Sequence, residues 1–359
     1  MLKKMLHRWG RSPVAYPDIA SLYDAHTAAR HLEGIVEVQP YKRVVSHAPY
    51  AEPERIERGM GPYEGYWLRD VWVWPETGII RTVEGKLIAE TLPSRYRFLK
   101  MLRAGAYRYE PGEGDGAVVD QRVASLGGGR WYGHYYHWLV DELPRIVGLD
   151  HAPEVECLYV PCAYPDPIFD LVRNLVPDHI DVRRAPGRQQ WIFARRYFHA
   201  PALTEDYCGF LPERFVSRLR EVLHDHGTDR SYDRKVYISR AGASKRRVLN
   251  EDDVIEVLAT YGFEAVQAEK MSFHDQVRLF AEARHIIGPH GAGLTNMMFA
   301  RQCTVLELFP GAPFTHYRWL SASLGHAYGC LCGPTERGKH DDFDVDLDML
   351  KKKIEVFIR

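Results

Sequence analysis

The sequence predicts an α/β protein of two domains, the first carrying a β-rich N-terminal elaboration. Three observations predict it. The chain has 359 residues, against a usual ~150 per domain. Near residue 116 the texture changes from closely spaced turns to strand–helix alternation. A polar, glycine-containing stretch, His224 to Asp233, then separates two regions that alternate in this way, as an inter-domain linker would. The expected domains are residues 1–115 for the elaboration, 116–225 for the first α/β domain, 226–234 for the linker, 235–335 for the second domain, and 336–359 for a C-terminal helix that packs back.

In the elaboration, Val71 to Trp74, Ile79 to Val83 and Lys86 to Ala89 read as strands joined by hairpin turns at Pro75–Gly78 and Glu84–Gly85, because Pro and Gly punctuate apolar runs. Pro111 to Gly116 is a loop. Val118 to Leu126 is the next strand, and a helix is expected from about His134 to Pro144. Glu156 to Val160 and Ile180 to Arg183 are strands flanking a helix at Phe169 to Val176. Beyond the linker come a strand at Lys235 to Ser239 and a helix at Asp252 to Thr260 with Asn250 as cap and Gly262 as stop. The strand Phe263 to Val266 follows, then a helix opened by Ser272 and Asp275 in a capping-box spacing. His285 to Gly288 and Thr304 to Phe309 are strands around a short helix at Leu294 to Ala300. Leu347, Leu350, Ile354 and Phe357 share one face of the last helix, whose preceding acids, Asp342, Asp344, Asp346 and Asp348, read as N-terminal caps.

Composition excludes several classes. With 47 Lys and Arg against 48 Asp and Glu, the formal charge is −1, so no overall positive field exists to hold nucleic acid or an anionic membrane. Any anion site must be local. No stretch approaches the ~18 apolar residues of a membrane span, and Met1 to Gly10 lacks the apolar core of a secretory signal. Six scattered cysteines, at 157, 162, 208, 303, 330 and 332, suit reduced thiols and a cytoplasmic setting. Aromatic residues are 12% of the chain, including eight Trp and 21 Tyr.

Three constellations carry chemistry. The first runs from Gly127 to Arg145. At about 100° per residue, His134, His137, Trp138 and Asp141 share one helical face opposite Leu139, Val140 and Leu143. A carboxylate one turn from an imidazole suits general-base chemistry on a hydroxyl, with either His137 or Asp141 as the base. Trp138 and Tyr135 carry rings of the kind that either stack on a sugar or pack in an aromatic core. The same His and Asp residues would also serve as metal ligands, although a third ligand is not evident and no cofactor or divalent metal is required.

The second constellation is Arg240 at a strand end, followed by a small-residue loop with Lys245, Arg246 and Arg247. Ligands of parallel sheets sit beyond the carboxyl ends of strands, and guanidinium forks match phosphate oxygens. The third is His290-Gly291-Ala292-Gly293, a strand running through a glycine turn into a helix, whose first N–H groups favour an anion. Arg240, Arg246, His290, Gly291, Ala292 and Gly293 together suggest a diphosphate clamp. Thr295, Asn296 and Glu307 are the nearby polar candidates for a nucleoside. Glu307, an acid in an apolar strand, either accepts from a ribose hydroxyl or pairs with a buried base.

In this order and spacing, His134 to Pro144, Arg240 with Arg246 to Asn250, and His290 to Asn296 resemble glycosyltransferase family 61 over about residues 120–310. The resemblance implies a GT-B-like architecture of two Rossmann-like domains and an inverting transfer from a nucleotide sugar, UDP-linked by preference, to a glycan or other hydroxyl acceptor. It resembles in particular bacterial members of capsular or surface polysaccharide synthesis, acting at the cytosolic face of the membrane with no transmembrane segment. A non-catalytic nucleotide- or glycan-binding module and a metal-dependent hydrolase built on His134, His137 and Asp141 are the alternatives.

Overall fold

The computed structural model describes residues 22–23, 32–38, 63–83, 87–88, 91, 116–127, 134–188, 190–200, 209, 211–224, 232–333 and 341–358. The Pro111 loop, the turn at Glu84–Gly85, Cys208 and residues 225–231 of the expected linker lie outside them. The chain divides into two compact units. The first contains residues 62–138 and 145–202, and the second contains 139–144 and 203–359. Among the described residues, no helix is long and apolar enough to cross a membrane.

The first unit is built on one mixed nine-stranded sheet, in the order β1-β5-β4-β3-β9-β6-β7-β8 with β2 beside β3. Its strands are β1 (Leu22–Tyr23), β2 (Leu32–Val38), β3 (Tyr63–Trp74), β4 (Ile79–Thr82), β5 (Leu87–Ile88), β6 (Ala117–Ser125), β7 (Cys157–Val160), β8 (Asp181–Arg184) and β9 (Ile192–His199). Helix α1 (Asp166–Leu175) crosses between β7 and β8. The early hairpin strands and the later α/β strands therefore share a single sheet, joined where β9 pairs antiparallel with β3 and parallel with β6. Val71, Val73, Ile80, Val123, Ala194 and Tyr197 of this sheet form a core.

β9 was not expected from the sequence. Its apolar alternation is interrupted by Arg195 and Arg196, and the structure explains their presence: Arg195 pairs with Asp70 at 2.9 Å, and Arg196 lies over the Trp67 ring at 5.5 Å.

The segment after His134 departs from the expected α-helix. Only Tyr135–His137 is α-helical; Trp138–Glu142 widens to a π-helix and Leu143–His151 tightens to a 3-10 helix. A face drawn at 100° per residue therefore does not hold past Trp138. Pro144 offers no N–H to the preceding turn. Arg145 is buried, donating through Nε and Nη2 to Ala200 O at 3.0 and 2.5 Å and through Nη1 to Gly127 O at 2.6 Å. Arg145 is thus a structural residue that ties this segment to the ends of β6 and β9. Arg145→Lys keeps the charge but loses the fork that spans two carbonyls. It should lower unfolding free energy by about 2 kcal/mol, read as a shift of the urea midpoint.

The second unit holds a five-stranded, wholly parallel sheet, β11-β10-β12-β13-β14, built from β10 (Arg234–Ile238), β11 (Glu264–Val266), β12 (Ala283–Pro289), β13 (Thr304–Phe309) and β14 (Ala327–Cys332). Helices α2 (Glu213–His224), α3 (Glu251–Thr260), α4 (Phe273–Ala281), α5 (His316–Leu324) and α6 (Leu347–Phe357) accompany it, with a 3-10 helix at Ala292–Phe299. β12 and β13 are almost continuously apolar and buried, as strands covered on both faces must be. Helix α2, expected within residues 116–225, groups with this unit, where Arg220 Nη2 donates to Leu324 O at 2.6 Å.

Capping follows the sequence in part. Ser272 Oγ accepts from Asp275 N, and Asp346 Oδ1 accepts from Asp348 N and Met349 N. Asn250 does not cap α3 with its side chain, which instead exchanges two hydrogen bonds with the Val345 backbone. Asp342 is no helix cap either; it pairs with Arg247. The last helix packs into the core of its own unit, placing Leu350 and Ile354 with Val254 and Leu258.

Candidate active site

In sequence order the strands of the second sheet are arranged 2-1-3-4-5, so β10 and β12, the first and third, are neighbours. Connections leave these two strands toward opposite ends of the sheet, and the crevice beyond their carboxyl ends is where such folds bind ligands. Arg240 follows β10 and His290-Gly291 follows β12. Two motifs separated by fifty residues in the chain therefore meet at the point that topology favours.

The Arg240 backbone is set by a buried acid. Glu251, the first residue of α3, accepts from Tyr237 Oη at 2.9 Å, Ser239 Oγ at 3.1 Å and Arg240 N at 3.1 Å. The guanidinium donates through Nη2 to Lys245 O at 3.0 Å, while its buried Nε has no hydrogen-bond partner among the described residues. Gly291 lies directly against it: a Cβ built there would sit 1.9 Å from Arg240 Nη1. Burial, and then the charge of Arg246, lower the Arg240 pKa from its ordinary value. A desolvated cation beside a second cation, with a donor left over, is an arrangement that an anion relieves.

Arg246 reaches its place through a left-handed backbone, φ +56°, a conformation that costs a non-glycine residue about 1 kcal/mol or more. The loop is held by a clip from residues 342–345. Asp342 takes Arg247 N at 2.9 Å and Arg247 Nη2 at 2.7 Å, and Leu249 N donates to Phe343 O at 2.8 Å. Arg247 is consequently neutralised within the fold. Arg240 and Arg246 have no ion-pair partner among the described residues.

The glycine turn is equally constrained. Tyr317 donates to Gly291 O at 2.6 Å, and a Cβ at Gly293 would meet Ile238 Cγ2 at 2.9 Å. Ala292 and Gly293, both half-buried, open the 3-10 helix, so their N–H groups have no carbonyl of a preceding helical turn to bind. His290 is buried with Nδ1 2.5 Å from Glu307 Oε1, and Tyr328 donates to Glu307 Oε2 at 2.6 Å. Its ring is enclosed by Phe309, Phe314, His316 and Tyr317, with centroids 5.4, 5.0, 5.9 and 5.5 Å away. Burial, then Arg246 and Arg240, lower His290 to about 3, whereas burial raises Glu307 to about 8.

Six of the expected residues thus gather in the second unit: Arg240, Arg246, His290, Gly291, Ala292 and Gly293. The three nucleoside candidates are each 0% exposed. Glu307 has both oxygens engaged, one with His290 and one with Tyr328. Thr295 Oγ1 meets Tyr317 Oη at 3.3 Å, and Asn296 Nδ2 donates to Gln276 Oε1 at 2.9 Å. These bonds make them supports of the turn and its helix.

Of the first constellation, His134 and Tyr135 are at least partly accessible, whereas His137 and Asp141 are buried. His134 and His137 have ring centroids 4.9 Å apart, and Trp138 packs on Tyr164 at 5.1 Å. His134, Tyr135, His137 and Trp138 fall in the first unit and Asp141 in the second. Among the described residues, no group of three His, Cys, Asp or Glu is arranged to hold a metal ion.

Sequence reasoning missed Glu251, Tyr317 and Tyr328. Glu251 was legible only as one of the acids at a helix start, and the two tyrosines lie in elements, α5 and β14, whose patterns gave no signal.

A family model described as Glycosyltransferase 61 matches residues 135–306. The EGF domain-specific O-linked N-acetylglucosamine transferase of Drosophila melanogaster is 30% identical over 118 residues, 30% of this chain and 22% of the relative. The aligned part thus spans about a fifth of that protein's length. The family match begins at the residue after His134 and runs through the arginine loop and the glycine turn, and both comparisons are with sugar-transferring enzymes.

Proposed function

We propose that this chain transfers a sugar with inversion from a nucleotide-diphosphate donor, UDP-linked by preference, to a hydroxyl of a glycan acceptor. The observation that carries the donor side is the pair of cations, Arg240 and Arg246, which have no ion-pair partner among the described residues and follow a strand of a parallel sheet, with Arg240 lying against a glycine turn. Asp141 or His137 takes the proton of the acceptor hydroxyl; the oxygen attacks the anomeric carbon as the bond to the diphosphate breaks, and the leaving oxygen keeps the electron pair. Arg240, Arg246 and the N–H groups of Ala292 and Gly293 neutralise the charge that gathers there. Trp138 and Tyr135 supply rings for a sugar.

A GT-B-like plan, with acceptor on the first unit and donor on the second, belongs to the same proposal. So does work on capsule-type surface polysaccharide at the cytoplasmic face of a membrane, which rests on the resemblance to bacterial members.

The test is a screen of nucleotide sugars for donor hydrolysis and for transfer to added glycans. One donor should be turned over, and Asp141→Asn or His137→Ala should reduce kcat by about 100-fold or more if the residue is the base. Binding of a nucleotide with no turnover on any donor would replace this reading by a non-catalytic module. Stoichiometric zinc in the purified, active protein would replace it by the metal-dependent hydrolase.

A further inference from the structure

Glu307 stands in the middle of β13 at 0% exposure, among Val305, Leu306, Leu308 and Phe309, all buried. A carboxylate there is costly unless it is paired or neutral, and each of its oxygens has one partner, Tyr328 Oη on one and His290 Nδ1 on the other. The far nitrogen of the same imidazole, Nε2, makes no hydrogen bond with the described residues. Four rings wall His290 in, so its orientation is held. We propose that Glu307 and Tyr328 are positioning residues that set the tautomer of His290, keeping a hydrogen on Nε2 as a donor to the diphosphate. The proposal rests on reading the adjacent loops as a diphosphate site.

When the pair shares one proton, that proton sits either on Glu307 or on Nδ1, and in both cases the second ring hydrogen is on Nε2. Burial pushes Glu307 up and His290 down, so at neutral pH the carboxyl holds the proton and donates to Nδ1. A neutral acid and a neutral imidazole add a third donor beside two guanidiniums without adding negative charge. Above about pH 8, Glu307 releases its proton to solvent. The remaining ring hydrogen moves to Nδ1 to meet the carboxylate, and Nε2 is left with a lone pair that repels phosphate oxygens.

The charged and titratable groups around the pair are Arg240 and Arg246 from the loop after β10, His316, Tyr317 and Arg318 from α5, Tyr328, Cys330 and Cys332 from β14, the last raised by burial, and Lys353 from α6 beyond Cys330. Burial pushes Tyr317, Tyr328 and Cys330 up, away from the range between pH 7 and 9.

Two measurements test this: calorimetric titration with UDP, GDP and ADP in turn from pH 7 to 9.5, and nitrogen-15 NMR of the histidine rings in the ligand-free chain. Wild-type affinity for the nucleotide that binds should fall about tenfold between pH 7 and 9, the loss that one proton with a pKa near 8 produces. Glu307→Leu should already lose about that much at pH 7. Glu307→Gln, whose amide N–H donates to Nδ1 while its carbonyl accepts from Tyr328, should restore most of it and remove the fall. Tyr328→Phe, which withdraws a donor from the ionised carboxylate, should move the fall to higher pH.

The ligand-free ring of His290 should show the Nε2–H tautomer at pH 7. An Nδ1–H tautomer there, or nucleotide affinity flat to pH 9.5, would overturn the proposal while leaving the diphosphate site standing. An Nε2–H ring in a wild-type chain that binds no nucleotide would instead overturn the diphosphate reading, and with it the use proposed for that hydrogen.

Discussion

Arg240→Ala is expected to lower kcat/KM for the preferred donor by about 100- to 1000-fold and to abolish the thermal protection that its nucleoside diphosphate gives the wild-type chain. The guanidinium is desolvated, lies beside Arg246 and keeps a buried Nε without a partner among the described residues, so its contacts with them account for little of its placement. Its side chain contributes one hydrogen bond, to Lys245 O, against the cost of a second positive charge close by. Without ligand, therefore, the variant should melt within a few degrees of the wild type. Loss of protection with an intact melting temperature separates an anion site from a structural cation; protection equal to that of the wild type would remove Arg240 from the donor site.

Gly291→Ala should reproduce most of that loss while removing no charge. The backbone at Gly291 is extended, with φ near 172°, so alanine meets no strain there. It meets the guanidinium: the added carbon would lie 1.9 Å from Arg240 Nη1 and 2.7 Å from Cζ. The end of a flexible side chain can swing away, so the fold should survive, with Arg240 displaced from the turn. The decisive measurement is the double variant. If both substitutions act by removing the same guanidinium from the same place, their effects on donor affinity should not add, and the double variant should bind no more weakly than Arg240→Ala alone. Additive losses would mean that the glycine serves the ligand directly, by letting it approach the backbone.

Much of this was legible in the sequence wherever the signal is local. The strands at 117–125, 157–160, 234–238 and 304–309 announce themselves as short apolar runs between turn residues, and parallel pairing follows from their alternation with helices. The arginine loop and the glycine turn are each written within a few consecutive residues. Features that depend on distant partners were not legible. β9 hides behind two arginines whose partners are on β3 and β6. β14 is short and poor in branched residues, and α5 mixes Arg, Trp, Ser and His without a clean apolar stripe.

The passage from α to π to 3-10 after His134 was invisible for the same reason, since Arg145 takes its carbonyls from residues 18 and 55 positions away. Glu307 shows the limit most clearly. An acid in an apolar strand signals that a partner exists, but the partners, His290 and Tyr328, lie 17 and 21 residues off in opposite directions. Only the register of β12, β13 and β14 brings them together.

The clip on the arginine loop ties the order of synthesis to the competence of the site. Arg247 and Asn250 each take their partners from 95 residues further along the chain. A growing polypeptide that has already exposed β10, α3 and the glycine turn still lacks Asp342 and Val345, so the left-handed turn at Arg246 is without its clip. The arginine loop is therefore among the last parts of the second unit to be held in place as the chain is made.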